Sequence, residues 1–268
     1  MNPIQPYFAL SANRYFKKEL AQHGIAHLYE YTCELSDEQS IFAIPDGCID
    51  ILFDETDPAI APYAAGSVLR GEKIKIMKGH KYFGIRFVPG VVPDILDGRF
   101  SDFLNNQINL TDCSIDKSLA EKINASKNFT DKVNSFFSVY NIKNKPKWKD
   151  SRYDIYGYIR KQILAEKGLV KVSDLERESG YTSRYINKLF NEFLGISPKT
   201  YAQIIRFQCT IDHMNHDTDI SFSNISAEHG YYDQAQFTRD FKKYALSTPG
   251  AYRSVLQKSG YINKFMYF

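Results

Sequence analysis

Hydrogen-bond donors line one side of a predicted helix near the C-terminal end of the chain, in the stretch "DQAQFTRDFKKYA" at residues 233–245. Its apolar positions Phe237, Phe241 and Tyr244 recur at helical spacing and indicate a buried stripe. Arg suits guanine, Gln suits adenine, and Thr can contact either a base or a thymine methyl group, so the polar side suits DNA. The candidate DNA-contacting side chains here are Gln234, Gln236, Thr238 and Arg239.

A second stretch with the same design lies earlier in the chain. The segment "TSRYINKLFNEFLG", residues 182–195, places Ile186 and Phe190 on one side by the same spacing. The opposite side carries the donors Arg184, Asn187 and Lys188. Each of the two predicted helices is therefore a candidate to enter a major groove of DNA.

Each donor-rich helix is the second half of a repeated unit. The segments "VSDLERESGYTSRYINKLFNEFLGISPKTY" and "FSNISAEHGYYDQAQFTRDFKKYALSTPGAY" share a short helix, a Gly-Tyr turn, a capping residue and a longer helix. This pattern predicts a duplicated helix-turn-helix. Between the units, Pro198 to Met214 predicts a helix of about 25 Å. A connector helix of this length can hold two recognition helices about 34 Å apart, which is one turn of DNA. The alternative is that the two units form only a packed helical bundle.

With these pieces, residues 152–256 resemble the C-terminal DNA-binding region of the AraC/XylS-type transcriptional regulators, which are bacterial. The resemblance covers about 40% of the chain and includes "GYTSRYINKLFNEFLGISPKTY", Arg206 in the connector and the spacing from Gly230 to Arg253. It implies that the residues facing the bases or the adjacent backbone are Arg184, Asn187, Lys188, Gln234, Ala235, Thr238 and Arg239. Two positions depart from the family pattern. Ala245 stands where a glycine usually ends the second reading helix, and Ala235 offers only a methyl group.

The first part of the chain predicts strands rather than helices. The segments "SIFAIPDGCIDILFD" and "KIKIMKGHKYFGIRFVPG" contain short apolar runs separated by Gly and Pro turns, and helical spacing begins at about Pro93. The predicted fold class is therefore α+β, with a small antiparallel β-barrel and packed helices followed by an all-α C-terminal domain. The family resemblance implies that the barrel is a cupin-like sensing or dimerisation domain.

Charge and composition indicate where the domains meet. Residues 1–140 carry 14 Lys and Arg against 18 Asp and Glu, whereas residues 152–268 carry 16 against 12. Between them, "NIKNKPKWKDS" is rich in lysine and has no apolar period. The predicted parts are an N-terminal domain at 1–140, a basic linker at 141–151, a DNA-binding domain at 152–256 and a tail at 257–268. The tail is expected either to pack on the second unit or to stay loose.

Arg86 is the candidate effector-binding residue of the first domain. Strand alternation places it on the face opposite Ile85 and Phe87, where its guanidinium could bind a carboxylate or phosphate of an effector. The alternatives are an ion pair with Asp50 or contact with solvent. His23 and His27 lie four residues apart on what looks like a helix, a spacing that a zinc pair can use, but a solvated or capping role is favoured. The four scattered cysteines lack the spacing of a zinc site or a disulfide framework, so no catalytic residue, metal or cofactor is expected.

The sequence thus predicts a non-enzymatic, sequence-specific DNA-binding transcription regulator with recognition helices in successive major grooves. The expected partners are double-stranded operator or promoter DNA, a small-molecule effector, a second copy of the chain and RNA polymerase. The chain shows neither a membrane span nor a secretory signal, which predicts a cytoplasmic protein. The alternatives are a DNA-targeted repair or modifying enzyme, and a regulator whose predicted helix 118–141 binds a protein partner.

Overall fold

The computed structural model describes residues 3–20, 24–35, 41–57, 59–110, 117–140 and 151–268. The predicted linker at 141–151 lies outside these ranges except for Ser151, which begins a helix. The described residues form a strand-rich first half and a helical second half, so the predicted α+β class is confirmed.

The first half consists mainly of short strands with helices before and after them. Its helices are α1 (Pro6–Leu10), α2 (Phe100–Phe103), α3 (Lys117–Ala125) and α4 (Phe129–Val139). Its strands are β1 (Tyr15–Glu19), β2 (Ile25–Thr32), β3 (Ile41–Ala43), β4 (Ile49–Asp54), β5 (Tyr63–Gly66), β6 (Glu72–Ile74), β7 (Lys81–Phe87) and β8 (Gln107–Asn109).

Most of these strands belong to one seven-stranded sheet. Its order is β8-β5-β4-β7-β2-β1-β9, and the edge strand β9 (Phe265–Tyr267) comes from the C-terminal end of the chain. Neighbours pair antiparallel except for β1 and β9, which are parallel. β3 and β6 pair with each other in a separate antiparallel sheet. The central strands β4 and β7 are buried almost throughout, and this includes the charged residues Asp50 and Arg86 between their apolar positions.

A glycine in β7 makes room for a tyrosine of the neighbouring strand. Gly84 lies directly opposite Tyr29 in the antiparallel pair of β7 and β2. A Cβ atom at position 84 would lie 2.2 Å from the Tyr29 ring, which is far too close for any side chain. The Tyr29 ring therefore lies across β7, and its hydroxyl donates a hydrogen bond of 2.9 Å to Asp50.

Helices α3 and α4 cover part of the large sheet. Val133, Phe136 and Tyr140 are buried in the core that these helices share with the strands. Lys132 is also buried, and its ammonium group bonds the carboxylates of Glu30 on β2 and Glu55. These apolar residues of the helix that one alternative assigned to a protein partner therefore pack within the molecule.

The second half consists of helices joined by short turns. They are α5 (Ser151–Ala165), α6 (Val172–Ser179), α7 (Ser183–Phe193), α8 (Pro198–His216), α9 (Phe222–Glu228), α10 (Gln234–Ala245) and α11 (Pro249–Ser259). Several begin at a side chain that accepts a hydrogen bond from a backbone N–H three residues later, which satisfies a donor that the helix leaves unpaired. These caps are Thr182, Ser197, Ser221, Asp233 and Thr248.

The two halves pack closely against each other. Arg160 and Tyr156 of α5 donate hydrogen bonds of 2.7 and 2.8 Å to the carbonyls of Pro89 and Gly90, just after β7. Both hydrophobic cores combine residues of the sheet with residues of the helical half. The second half is thus held against the first by buried contacts as well as by the chain.

The C-terminal tail returns to the first half. After a 3-10 helix at Tyr261–Lys264, β9 pairs with β1, with Phe265 opposite Tyr15. The N–H of Phe268 donates to the carbonyl of Lys17 at 3.1 Å. Tyr261 is buried within the core that includes the second helix-turn-helix unit. The tail therefore packs near the second unit, as one expectation held, and also extends the sheet, which the sequence did not predict.

Candidate nucleic-acid interface

Helix α7 carries the first set of predicted DNA-contacting residues. The turn before it contains Gly180 at φ 74°, a left-handed conformation that glycine adopts without a steric penalty. Its apolar stripe is buried, while Arg184 and Lys188 are exposed one helical turn apart. Asn187 is half-buried, and its Nδ2 donates 2.8 Å to the carbonyl of Ser183 in the same helix. Arg184 and Lys188 therefore form the accessible basic pair of this helix.

Helix α10 carries the second set. Asp233 caps it by accepting a hydrogen bond of 2.6 Å from the N–H of Gln236. Gln234, Ala235 and Arg239 are exposed, and the Ala235 methyl group leaves an uncharged site one turn before Arg239.

Two of the predicted contact residues on α10 already have partners within the protein. The Gln236 amide oxygen accepts a hydrogen bond of 2.8 Å from the N–H of Tyr232. The Thr238 hydroxyl donates a hydrogen bond of 2.8 Å to the Gln234 carbonyl. Gln236 keeps its amide N–H groups and Thr238 its oxygen lone pairs, so each retains part of its capacity for a further partner.

Four predicted side chains have no hydrogen bond or ion pair with the protein, within the ranges that the structure describes. They are Arg184, Lys188, Gln234 and Arg239. An exposed donor without a protein partner remains available to phosphates and base edges. The structure thus gathers the predicted residues into two separate sets, one for each unit.

The end of α10 differs from the end of α7 at Leu246, and not at Ala245, where the sequence pattern placed the missing glycine. Ala245 is the last residue of the helix, and Leu246 after it takes a left-handed conformation with φ 53°. In the first unit the corresponding left-handed residue is Gly195, with φ 77°. A leucine in this conformation carries a steric cost that a glycine avoids.

Helix α8 connects the two units and is mostly buried. It has 19 residues, two more than predicted, and is about 28 Å long at 1.5 Å per residue. Arg206 on this helix donates to the Gly230 carbonyl at 3.2 Å and pairs with Asp240 of α10 at 3.4 Å. Its guanidinium also lies 4.3 Å from the centre of the Tyr231 ring. Arg206 thus positions the turn and the recognition helix of the second unit.

Two tyrosines at the turns were not predicted as site residues. Tyr232 precedes α10 and is 92% exposed, and Tyr181 precedes α7 and is 38% exposed, with its ring packed against Tyr185. A phenol at the start of a recognition helix can donate a hydrogen bond to a phosphate. The sequence signal was the repeated Gly-Tyr pair, which indicated a turn but gave no sign of how exposed the rings are.

Arg86 of β7 is buried, and its guanidinium is already paired with carboxylates of the protein. Its Nε donates a hydrogen bond of 2.8 Å to the carboxylate of Asp50, and its Nη2 bonds the second oxygen of that group. Its Nη1 lies 3.5 Å from a carboxylate oxygen of Asp46. The structure therefore contains the alternative pairing with Asp50, and binding of an effector anion by Arg86 stays a prediction.

A cavity of about 370 Å³ lies between β4, β5 and β7 on one side and β3 and β6 on the other. Arg86, Asp46 and Asp50 contribute to its lining. Among the described residues, no cluster of His, Cys, Asp and Glu side chains could hold a metal ion. Within the same ranges, no helix combines the length and the apolar character that crossing a bilayer needs.

Sequence comparisons connect both halves to known families. The family described as "Helix-turn-helix domain" matches residues 175–254, which run from α6 into α11. "Probable transcription factor PqrA" of Proteus vulgaris is 28% identical over 100 residues, which cover 37% of this chain and 80% of that protein. The helical half therefore contains an AraC-type helix-turn-helix domain, and the relatives support a DNA-binding transcription regulator. The family described as "Domain of unknown function (DUF6597)" matches residues 17–109 of the regulator.

Two further relatives share less of their length with this regulator. The lactose operon transcription activator of Staphylococcus xylosus is 32% identical over 84 residues, which are 31% of this chain and 30% of that protein. The F1 operon positive regulatory protein of Yersinia pestis is 31% identical over 101 residues, 38% of this chain and 33% of that protein. The chain thus spans about a third of these two relatives.

Among solved structures, ToxT from Vibrio cholerae O395 aligns with 91% of this regulator and 96% of its own chain. The TM-score is 0.39 and the sequence identity 12%, so the likeness is distant. The three relatives named above carry the names of transcription regulators, a class that is typically non-enzymatic.

Proposed function

We propose that the regulator reads operator or promoter DNA by inserting α7 and α10 into successive major grooves. The observation that carries this proposal is that both helices expose polar side chains without protein partners in the described ranges. These side chains are Arg184 and Lys188 on α7, and Gln234 and Arg239 on α10. In this scheme residues 152–256 form the DNA-binding domain, and residues 1–140 form a domain for sensing or dimerisation.

The chemistry of the two helices suits different parts of a binding site. Arg184 and Arg239 can each form two hydrogen bonds to a guanine, and Gln234 can do the same with an adenine. Lys188 adds a point charge that fits a phosphate. Asn187, Gln236 and Thr238, which already bond within the protein, have supporting roles in the proposal.

Control by a small-molecule effector in the cavity is the second part of the proposal. Gln5 lines the cavity, and the N–H of its neighbour Ile4 donates 2.8 Å to the side chain of Gln208 on α8. Gln208 in turn donates 2.8 Å to the Pro45 carbonyl, next to the cavity residue Asp46. Gln208 is fully buried, so a ligand that moves either segment would act directly on the helix that joins the two units.

A second route leads from the cavity to α10. Glu72 lines the cavity, and the N–H of its neighbour Gly71 donates 3.1 Å to the carbonyl of Lys243 in α10. A change in the cavity wall can therefore alter where the second recognition helix lies relative to the first. The proposal also includes a cytoplasmic location and contact with RNA polymerase, because a promoter-bound regulator acts beside the chromosome and the polymerase. It includes formation of a homodimer as well.

Selection of bound duplexes from a random DNA pool tests the proposal. The full-length protein should enrich one bipartite motif whose two parts have centres about one helical turn, or about 10 base pairs, apart. A variant with Arg184→Ala and Arg239→Ala together should lose that enrichment while it remains folded. Enrichment of a single short motif, or of none, would contradict insertion of both helices.

A further inference from the structure

The cavity has two faces, and strand pairing defines which side chains point at it from β3 and β6. Ala43 lies opposite Glu72 in this pair, and Ile41 lies opposite Ile74. Ile41 is buried in the core, so this face of the small sheet looks inward, and Glu72 shares it.

Lysine side chains next to Glu72 belong to the other face. Lys73 lies opposite Phe42, which packs against Tyr7 of α1 with ring centres 5.3 Å apart. Lys73 and Lys75 are exposed, and they contribute to the lining of the cavity as Glu72 does. By alternation, the side chain of Glu72 starts on the same face as Ile74, and those of Lys73 and Lys75 start on the other face.

The opposite face has more buried negative charge than positive charge. Asp46, Asp50 and Arg86 are all buried there, two carboxylates against one guanidinium. Asp50 occupies both the Nε and the Nη2 of Arg86, and the third nitrogen lies 3.5 Å from Asp46 and from the Pro3 carbonyl. An anionic ligand would have to displace one of these acceptors, and it would then lie beside an unpaired carboxylate, which is costly in a buried site.

The ionisation of Asp46 agrees with this imbalance of charge. Burial raises the pKa of Asp46 and the neighbouring Asp50 raises it further, while Arg86 acts in the opposite direction. The nearby guanidinium therefore only partly compensates for the buried carboxylate. A positive group placed in the cavity would stabilise the charged form of Asp46.

The other residues that line the cavity are mostly apolar, and they favour a ligand that has an apolar body as well as a charged group. Phe8, Leu52, Val68 and Ile74 line the cavity together with the half-buried ring of Tyr63. An aromatic ring also attracts a cation through its face. The volume is in the range of about 300–1,000 Å³ that is usual for sites of small organic ligands.

We propose that this cavity binds an organic cation, a protonated amine or a guanidinium on an apolar body, whose charge faces Asp46, Asp50 and Glu72. The proposal rests on the effector role of the cavity proposed above and specifies the chemical class of the effector. It excludes carboxylates and phosphates as preferred ligands and thus reverses the role predicted for Arg86 from sequence. Arg86 instead holds the two aspartates in place at the base of the site.

Matched sets of small molecules test the charge preference directly. Each set has one carbon skeleton that ends in an amine, a carboxylate or an alcohol, for example 3-phenylpropylamine, 3-phenylpropanoate and 3-phenylpropan-1-ol. Skeletons with phenylethyl, cyclohexylethyl and naphthylmethyl groups extend the series. Thermal melting of the full-length protein, followed by calorimetry, measures the binding. The amine should bind at least about tenfold more tightly than its carboxylate partner in every set that binds at all.

Two exposed residues on opposite faces of β6 supply a matched pair of variants. Glu72→Gln should weaken binding of the amine by roughly three- to tenfold and leave the alcohol unchanged. Lys73→Gln removes a charge from the outward face and should weaken neither ligand. Both side chains are exposed, so neither variant should disturb the fold.

The other outcomes separate the two proposals. A carboxylate that binds more tightly than its amine would overturn the cation proposal and retain the effector role. Equal binding of the amine by the wild type and Glu72→Gln would also overturn it. If no set raises the melting temperature while DNA selection still yields the bipartite motif, the cation proposal fails and DNA reading stands.

Discussion

Arg239 lies on the exposed face of α10, with no hydrogen bond or ion pair inside the described part of the protein. Arg239→Ala should therefore leave stability unchanged and weaken binding to the selected site by about 1–3 kcal/mol, with relaxed preference at one base pair. Titration of labelled duplexes that vary at single positions measures both effects. Lys122→Ala, which removes one charge from the exposed surface of α3, is the control.

The same titrations distinguish base reading from a phosphate contact. If Arg239 contacts a phosphate, Arg239→Ala loses affinity equally on specific and random DNA, and the slope of log affinity against log salt falls by about one. That result would contradict the assignment of Arg239 to a base. The proposal that α10 lies in a major groove would still stand.

His229 should make the stability of the second unit depend on pH. Burial lowers the pKa of His229 to about 4, and His213, whose ring nitrogen lies 3.1 Å away, adds to the effect together with Lys167 and Arg206. The unfolded chain takes up a proton near the ordinary pKa of about 6.5, whereas the folded protein resists it until about pH 4. The stabilising contribution is therefore complete above pH 6.5 and is lost as the pH falls toward 4.

Urea unfolding between pH 7.5 and pH 4.5 measures this dependence. The free energy of unfolding of the wild type should fall with pH, and His229→Gln should make the fall shallower. His216→Gln, which removes another histidine of the same half, with a side chain that is 66% exposed, is the comparison variant. An identical slope for the wild type and His229→Gln would show that His229 titrates normally.

Helix by helix, the second half could be predicted from sequence because its signals are local. The buried stripe of α10 appears as Phe237 and Phe241 at helical spacing, and its start appears as the cap at Asp233. Strand β9 gave no such signal, since three residues carry no period and the pairing with β1 depends on distant packing. For Arg86, alternation gave the face of the strand but not whether that face is buried.

A glycine before β6 allows the first half to dock on α10. The N–H of Gly71 bonds the Lys243 carbonyl, and a Cβ atom at position 71 would lie 2.5 Å from the carbonyl oxygen of Tyr244. Gly71→Ala should destabilise the protein by about 1–3 kcal/mol, because the backbone of one element must move away from the other. Chemical denaturation measures this loss.

Gly157→Ala is the control for this substitution. Gly157 lies in α5, and a Cβ atom there would meet nothing within 4 Å. Alanine at this position should stabilise the protein by about 0.5–1 kcal/mol, because glycine is a poor helix former. Changes of the same sign in both variants would rule out a specific clash between Gly71 and α10.

At the scale of the whole molecule, one short strand connects the DNA-binding half to the sheet that borders the effector cavity. β9 follows α11 after a single turn of 3-10 helix and pairs with β1, while buried Tyr261 and Tyr252 contact Asn215 of α8. The position of α11 is therefore coupled to the large sheet through the backbone as well as through side chains. Any shift between the halves must strain or release this pairing.

Met266→Pro should disrupt the pairing of β9 with β1. Met266 is 42% exposed, so its side chain is of little consequence, but proline cannot donate a backbone hydrogen bond to β1. We expect a loss of roughly 1–3 kcal/mol of stability and faster hydrogen exchange in both β1 and α11. Met266→Ala keeps the N–H and should behave like the wild type. Faster exchange confined to the last few residues would mean that the pairing of β9 with β1 does not contribute to holding the two halves together.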